Sequence, residues 1–252
     1  MGRTTLLYFD MAVSASISPH TRRADDILFH DMEWGSEMLL EKERYDIVRY
    51  GLKMLRSGLT RGAGGNLSRR LGDMFAVTPS GVGYESMTPE QVMVLRLDGE
   101  VIEGEAAPSS EWFLHAALYA DRPGFGAVVH THAPFTATVA CMRREIPAVH
   151  YLVGFVGKKV PLAAYATFGT PELAENVVKA MRGFNAVLMA NHGLAAADAD
   201  LSRAFAVAEE VEFVAEIYYR ALCAGEPCIL LPDDEMERVM KRFESYGSRN
   251  GS

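Results

Sequence analysis

Residues 126–134, Gly-Ala-Val-Val-His-Thr-His-Ala-Pro, form a short apolar run that stops on two histidines, His130 and His132. The run predicts a buried strand over 126–130, and Pro134 predicts a helix over 133–142 directly behind it. On an extended chain, positions i and i+2 project to the same side, so both imidazoles can reach one ion. Two unrelated polar residues at a strand end would be the plainer explanation. A third histidine weighs against it.

That histidine is His192, in Val-Leu-Met-Ala-Asn-His-Gly-Leu at 187–194, again where an apolar strand (186–190) meets a glycine. Three strand-end histidines leave an open position at an ion, as catalytic zinc sites do. Packing or solvent exposure is expected of the other four, His20, His30, His115 and His150. Upstream, Pro-Ser-Ser-Glu-Trp at 108–112 opens a predicted helix over 109–120, with a serine hydroxyl as its cap and Glu111 in its first turn. Such a glutamate ordinarily complements the helix dipole. Beside Trp112 it is also a candidate general base, its pKa expected to rise by desolvation.

Further out, apolar spacing predicts a helix over 34–57 closed by Gly58, and strands over 74–77 and 92–97. Asp98-Gly99 turns the second of these strands into a hairpin with Val101 and Ile102. Long helices are expected over 201–224 and 233–246, separated by Pro232. Hairpins mixed with helices predict an α+β or three-layer α/β/α arrangement rather than a uniform βαβ array.

Three glycine- and hydroxyl-rich turns could wrap an anion. They are Arg-Gly-Ala-Gly-Gly-Asn-Leu-Ser at 61–68, Thr-Pro-Ser-Gly-Val-Gly at 78–83, and Ser109 with Ser110 at a helix start. Backbone N–H groups freed by glycine, together with the Asn66 and Ser68 side chains, would supply neutral donors. Neutral donors suit a chain with 25 Lys and Arg against 33 Asp and Glu, a formal charge of −8. That balance gives a nucleic-acid surface no support.

The 252 residues, 49% of them hydrophobic, suffice for one core. Three cysteines, none in a CxxC pair, argue against a secreted disulfide framework and for a reducing cytoplasm. Asp10 interrupts the apolar stretch near the start, against a signal peptide, and no run approaches the roughly 18 apolar residues of a membrane helix. Residues 1–37 carry no clear periodicity and predict an N-terminal extension, a candidate disordered segment; 38–252 predict a single domain.

The ordered set GGNLS, VTPSG, PSSEW, VVHTHA, PAVHY, YATFGT, NHGL and SYG, spanning about 38–247, resembles the class II aldolase/adducin family, with L-fuculose-1-phosphate aldolases as the nearest branch. The resemblance implies a three-layer α/β/α sandwich around a largely antiparallel sheet, assembled as a C4 homotetramer with active sites between subunits. It implies one Zn2+ per subunit on His130, His132 and His192, with Glu111 as the acid/base carboxylate that also touches the metal. It assigns Asn66, Ser80, Gly81, Ser109 and Ser110 to a phosphate pocket. Tyr151 would reach the site from a neighbouring subunit, and Tyr246 would close over it from a mobile C-terminal tail. The implied reaction is retro-aldol cleavage of a ketose 1-phosphate to dihydroxyacetone phosphate and an aldehyde. Dehydration, decarboxylation and 4-epimerisation on the same scaffold, and an adducin-like interaction module, are the alternatives. Two departures bear on the sugar: Ala63 stands where the fuculose branch carries a hydroxyl residue, and Asn191 where it carries a further histidine.

Overall fold

The computed structural model describes residues 38–225 and 227–246, without the side chains of 244–246. The expected extension over 1–37, with His20 and His30, lies outside the described residues, as do the last residues of the C-terminal tail.

The described residues open with α1 (Glu41–Arg56), which buries Ile47, Gly51 and Met54 and closes at Ser57 before Gly58, whose φ is +76°. Then come β1 (Asn66–Leu71), β2 (Met74–Val77), β3 (Met93–Arg96) and β4 (Val101–Glu103). Next are α2 (Trp112–Asp121), β5 (Ala127–Thr131), α3 (Pro134–Cys141), β6 (Leu162–Ala163) and α4 (Pro171–Met181). Last among the described residues come β7 (Ala186–Met189), β8 (Gly193–Asp198), α5 (Leu201–Cys223) and α6 (Asp233–Tyr246).

The eight strands of the described residues lie in one sheet, ordered β4-β3-β2-β1-β5-β8-β7-β6. Each neighbouring pair is antiparallel except β6–β7, which is parallel. The sheet is therefore mixed, and the expectation of a largely antiparallel one is corrected at this edge. The cause is α4, a crossover helix between β6 and β7 that returns the chain in the same direction. Its start is capped by Thr170, whose hydroxyl accepts from the Leu173 amide, with Pro171 in the first turn.

Side chains alternate between two cores. Leu67, Ala76, Val94, Val129, Leu188 and Leu194 join α1, α3, α5 and α6 in one cluster, while Phe75, Val77, Leu95, Val128, Val187 and Ala195 join α2 and α4 in the other. β5 is central and wholly buried. Its neighbours are β1 on one side and β8 on the other, so the two histidine-bearing segments and the glycine loop before β1 meet at one end of it.

α2 starts at Trp112, later than the sequence predicts. Ser109 is held outside the helix by its amide, which donates to the Thr78 carbonyl at 3.0 Å. Glu111 is the N-cap position rather than part of the first turn, and no side chain caps the helix. No helix of the described residues is long and apolar enough to cross a membrane.

Candidate metal centre

Strand pairing places the cluster. His130 lies in β5 opposite both Asn66 of β1 and Ala195 of β8, His132 follows the end of β5, and His192 sits in the tight turn between β7 and β8. Asn191 makes that turn with φ +55°, a conformation asparagine tolerates. Glu111, at the mouth of α2, reaches across to them. One donor atom from each of Glu111, His130, His132 and His192 lies within 4.8 Å of all the others.

Glu111 Oε2 is 3.1 Å from His130 Nε2, and Glu111 Oε1 is 3.6 Å from His192 Nε2. His132 Nε2 and His130 Nε2 are only 2.9 Å apart. Two ring nitrogens that close must share a proton or a cation. His130 Nδ1 faces the Leu194 carbonyl at 2.9 Å, so Nδ1 carries its hydrogen and the Nε2 lone pair points into the cluster. Glu111 Oε1 is buried without a hydrogen-bond partner. Three inward imidazoles and an orphaned carboxylate oxygen fit a divalent cation, and the nitrogen-rich donor set fits zinc.

Electrostatics run the same way. Burial pushes Glu111 up, but the charge and hydrogen bond of His130, with His192 and the Asn66 amide, outweigh it and hold the carboxyl below its usual range. The expected rise is thus corrected: Glu111 is an anion here. Its neighbour Trp112 stacks on Phe113 at 3.8 Å instead. Loss of solvation, with His130 alongside, lowers His132 to about 3 and His192 to about 4, leaving both as neutral ligands.

The glycine loop packs on the histidine strand. A Cβ on Gly65, at φ +67°, would stand 2.5 Å from the His130 carbonyl oxygen, and one on Gly64 would stand 3.1 Å from His132 Nδ1. Close approach thus explains these glycines directly. Ser68 is no anion donor: it is fully buried, 2.6 Å from Tyr119 OH. Asn66 is also buried and spends both ends of its amide internally, Nδ2 on Glu111 Oε2 at 2.9 Å and Oδ1 on His115 Nε2 at 2.5 Å. His115, expected only to pack or face solvent, is therefore tied to the site; its place four residues after Glu111 on one helix face was the available signal.

The other two expected anion turns are joined. Pro79 and Pro108 form an antiparallel bridge, flanked by the Ser80 amide donating to the Ala107 carbonyl at 2.8 Å and the Ser109 amide donating to the Thr78 carbonyl at 3.0 Å, so the two turns run side by side. Tyr151 is not brought to the cluster by its own chain. It is half exposed, with its ring against His150 and Phe243. Tyr246 ends α6, and its side chain lies outside the described residues.

The Class II Aldolase and Adducin N-terminal domain matches residues 45–219. The chain belongs to this family. The 5-deoxy-D-ribulose 1-phosphate aldolase of Bacillus thuringiensis serovar kurstaki is 51% identical over 214 residues, 84% of this chain and 100% of that one. The 5-methylthioribulose-1-phosphate/5-deoxyribulose-1-phosphate aldolase of Rhodospirillum rubrum is 44% identical over 205 residues, 81% and 92% of the two chains. Among solved structures, an L-fuculose 1-phosphate aldolase superposes with a TM-score of 0.80 at 42% identity, covering 83% of this chain and 100% of that one. Such relatives make this class II family member an enzyme, a carbon–carbon lyase of the aldolase type.

Proposed function

We propose that this aldolase is zinc-dependent and cleaves a ketose 1-phosphate of the 5-deoxyribulose, 5-methylthioribulose or L-fuculose kind to dihydroxyacetone phosphate and an aldehyde. The observation that carries this reading is the convergence of Glu111, His130, His132 and His192 on one point. The names of the relatives support the substrate class. The complete four-residue set favours catalysis over an adducin-like interaction module.

His130, His132 and His192 would hold the ion, with Glu111 at its side. A bound zinc ion would supply Lewis acidity toward the ketose carbonyl, the electron sink that breaking a C–C bond requires. The protein's own groups move the protons. As the C3–C4 bond breaks, the C4 hydroxyl loses its proton and becomes the aldehyde carbonyl, while C3 gains a proton to give dihydroxyacetone phosphate. Glu111, an anion in the resting site, is placed to take up a proton from solvent on its unpartnered Oε1 and deliver it to C3, since its Oε2 is pinned by Asn66. Tyr151 would take the C4 hydroxyl proton from a neighbouring subunit, and Tyr246 would shield the site from water. Ser80, Gly81, Ser109 and Ser110, with the backbone at Asn66, would bind the phosphate with neutral donors.

A C4 homotetramer fits this division of labour. Tyr151, Phe213, Ile229 and Leu230 are large apolar groups exposed on the single chain, a composition suited to subunit contact. The two core clusters on opposite strand faces support a three-layer α/β/α sandwich for the described residues. Three free cysteines support a cytoplasmic setting.

The test is dihydroxyacetone phosphate release from fuculose, ribulose, 5-deoxyribulose and 5-methylthioribulose 1-phosphates, with and without chelator and with Glu111→Gln. Chelator-sensitive release that the variant abolishes is expected. Substrate consumed by water loss, CO2 release or epimerisation instead would assign the centre to another chemistry.

A further inference from the structure

Glu111, His115 and Tyr119 fall four residues apart, so they form one row along a face of the start of α2. Asn66 and Ser68 fall two apart on β1 and face the same side of the sheet. The two rows interdigitate. Glu111 Oε2 meets Asn66 Nδ2 at 2.9 Å, and Asn66 Oδ1 meets His115 Nε2 at 2.5 Å. His115 Nδ1 then meets Ser68 Oγ at 2.6 Å, and Ser68 Oγ meets Tyr119 OH at 2.6 Å. None of the five residues is more than 6% exposed.

The polarity of this chain is fixed from its ends. An amide nitrogen can only donate, so Asn66 Nδ2 gives a hydrogen to Glu111 Oε2, leaving Oδ1 as the acceptor for His115. His115 must then carry its hydrogen on Nε2 and accept on Nδ1, from the Ser68 hydroxyl. Ser68, having given its hydrogen, accepts from Tyr119. Every hydrogen points toward Glu111.

We propose that His115 is a positioning residue of this enzyme: through Asn66, and braced by Ser68 and Tyr119, it fixes the Glu111 carboxylate with Oε2 held and Oε1 free to act. The inference rests on the reading of Glu111 as the acid/base group and deepens it. A buried imidazole serving only as packing would need satisfied partners but no particular direction of donation. Here a reversal anywhere along the chain leaves a buried group unsatisfied, so the carboxylate orientation is coupled to groups deep in the sheet. Asn66 sits directly opposite His130 in the β1–β5 pairing, which ties the same chain to the strand that carries the histidines.

The experiment uses the full-length protein loaded with zinc and dihydroxyacetone phosphate as the probe, following exchange of its C3 proton with deuterated solvent. His115→Phe keeps ring volume and removes both hydrogen bonds. It is expected to lower the exchange rate at saturation by about 10- to 100-fold, the usual effect of removing a partner of a metal-site carboxylate. KM should change by less than about twofold and zinc content should hold, while the unpaired Asn66 and Ser68 groups lower the melting temperature without unfolding the protein at assay temperature. His115→Gln, which can still donate to Asn66, should recover most of the rate. Independently of activity, 15N-histidine NMR of the metal-free wild type should show His115 as the neutral Nε2–H tautomer.

Wild-type exchange in His115→Phe, while Glu111→Gln is inactive, would overturn the positioning role and leave the Glu111 reading intact. Wild-type exchange in Glu111→Gln would overturn that reading and this inference with it. Should His115→Phe fail to fold, Tyr119→Phe, which removes one hydroxyl at the far end, and the NMR tautomer decide. A slower Tyr119→Phe with the Nε2–H form supports the proposal; an Nδ1–H or doubly protonated ring overturns it.

Discussion

Gly65 packs so closely against His130 that a Cβ at position 65 would meet the histidine's carbonyl oxygen at 2.5 Å, and its φ of +67° already excludes most side chains. The loop before β1 and the strand that carries the cluster are thus in backbone contact, immediately beside the Asn66–His130 pairing. Gly65→Ala is expected to destabilise the fold by about 2–5 kcal/mol, from left-handed strain plus overpacking against backbone that cannot yield. Gly62→Ala is the control: φ is +61°, but open space surrounds it, so only about 1–2 kcal/mol of strain applies. Urea unfolding of both variants measures the difference. Equal losses would mean that the contact between Gly65 and His130 carries no energy of its own.

The helix behind His132 has an unusual anchor. Glu212 of α5 accepts the Phe135 amide on Oε1 and the Thr136 amide on Oε2, each at 2.8 Å, which satisfies the first free N–H groups of α3 with a charged cap from another helix. Since α3 starts two residues after His132, this cap also sets the direction in which the chain leaves the cluster. Glu212→Ala should lose about 1–2 kcal/mol in thermal or urea unfolding and should weaken metal binding in a chelator competition. Unchanged metal affinity alongside the stability loss would confine Glu212 to the helix.

Acid sensitivity has an identifiable source in His115. Burial, reinforced by His130, lowers its pKa from 6.5 to about 3 in the folded protein. Between those values the unfolded chain binds a proton that the folded chain refuses, so stability falls as pH falls; above 6.5 both forms are neutral and the residue contributes nothing. At pH 5 the loss is about 2 kcal/mol relative to pH 7. His132 and His192, lowered in the same direction, add to it. Comparing unfolding free energies at the two pH values in the wild type and in His115→Gln isolates the His115 share. A wild type that loses no more than the variant would contradict a neutral buried His115.

The parts of this fold legible in the sequence are those whose neighbours impose a simple pattern. β5, buried on both faces, reads as an unbroken apolar run; α5 and α6 carry long helical spacing between clear breaks. β1 does not, because its positions facing α2 are Asn66 and Ser68, which offset their burial with hydrogen bonds to that helix rather than with apolar surface. Asn-Leu-Ser-Arg-Arg-Leu therefore reads as an anion loop. β8, Gly-Leu-Ala-Ala-Ala-Asp, has alanines that suit a helix, and only its place between β5 and β7 makes it a strand. The four clustered residues are individually visible as histidines at strand ends and a glutamate at a helix start. The Asn66 link from Glu111 to His115 needs the register of β1 against α2, which spacing alone does not supply.

Tyr151 offers a test of assembly and chemistry together. On the single chain it is half exposed and packs with Phe243, outside the Glu111 cluster, so a role in proton transfer requires a neighbouring subunit. Tyr151→Phe removes only the hydroxyl of a half-exposed residue and should leave stability unchanged within about 0.5 kcal/mol while lowering turnover. If the tyrosine of one chain serves the Glu111 of the next, co-assembling Tyr151→Phe with Glu111→Gln must restore activity that neither has alone. A site is intact when its glutamate comes from the first variant and its tyrosine from the second. Random co-assembly at equal amounts in a cyclic oligomer makes that about one site in four, and about a quarter of wild-type activity is expected. No recovery above the separate variants, with mixed oligomers verified by mass, would place any action of Tyr151 within its own chain and remove the argument for a shared site.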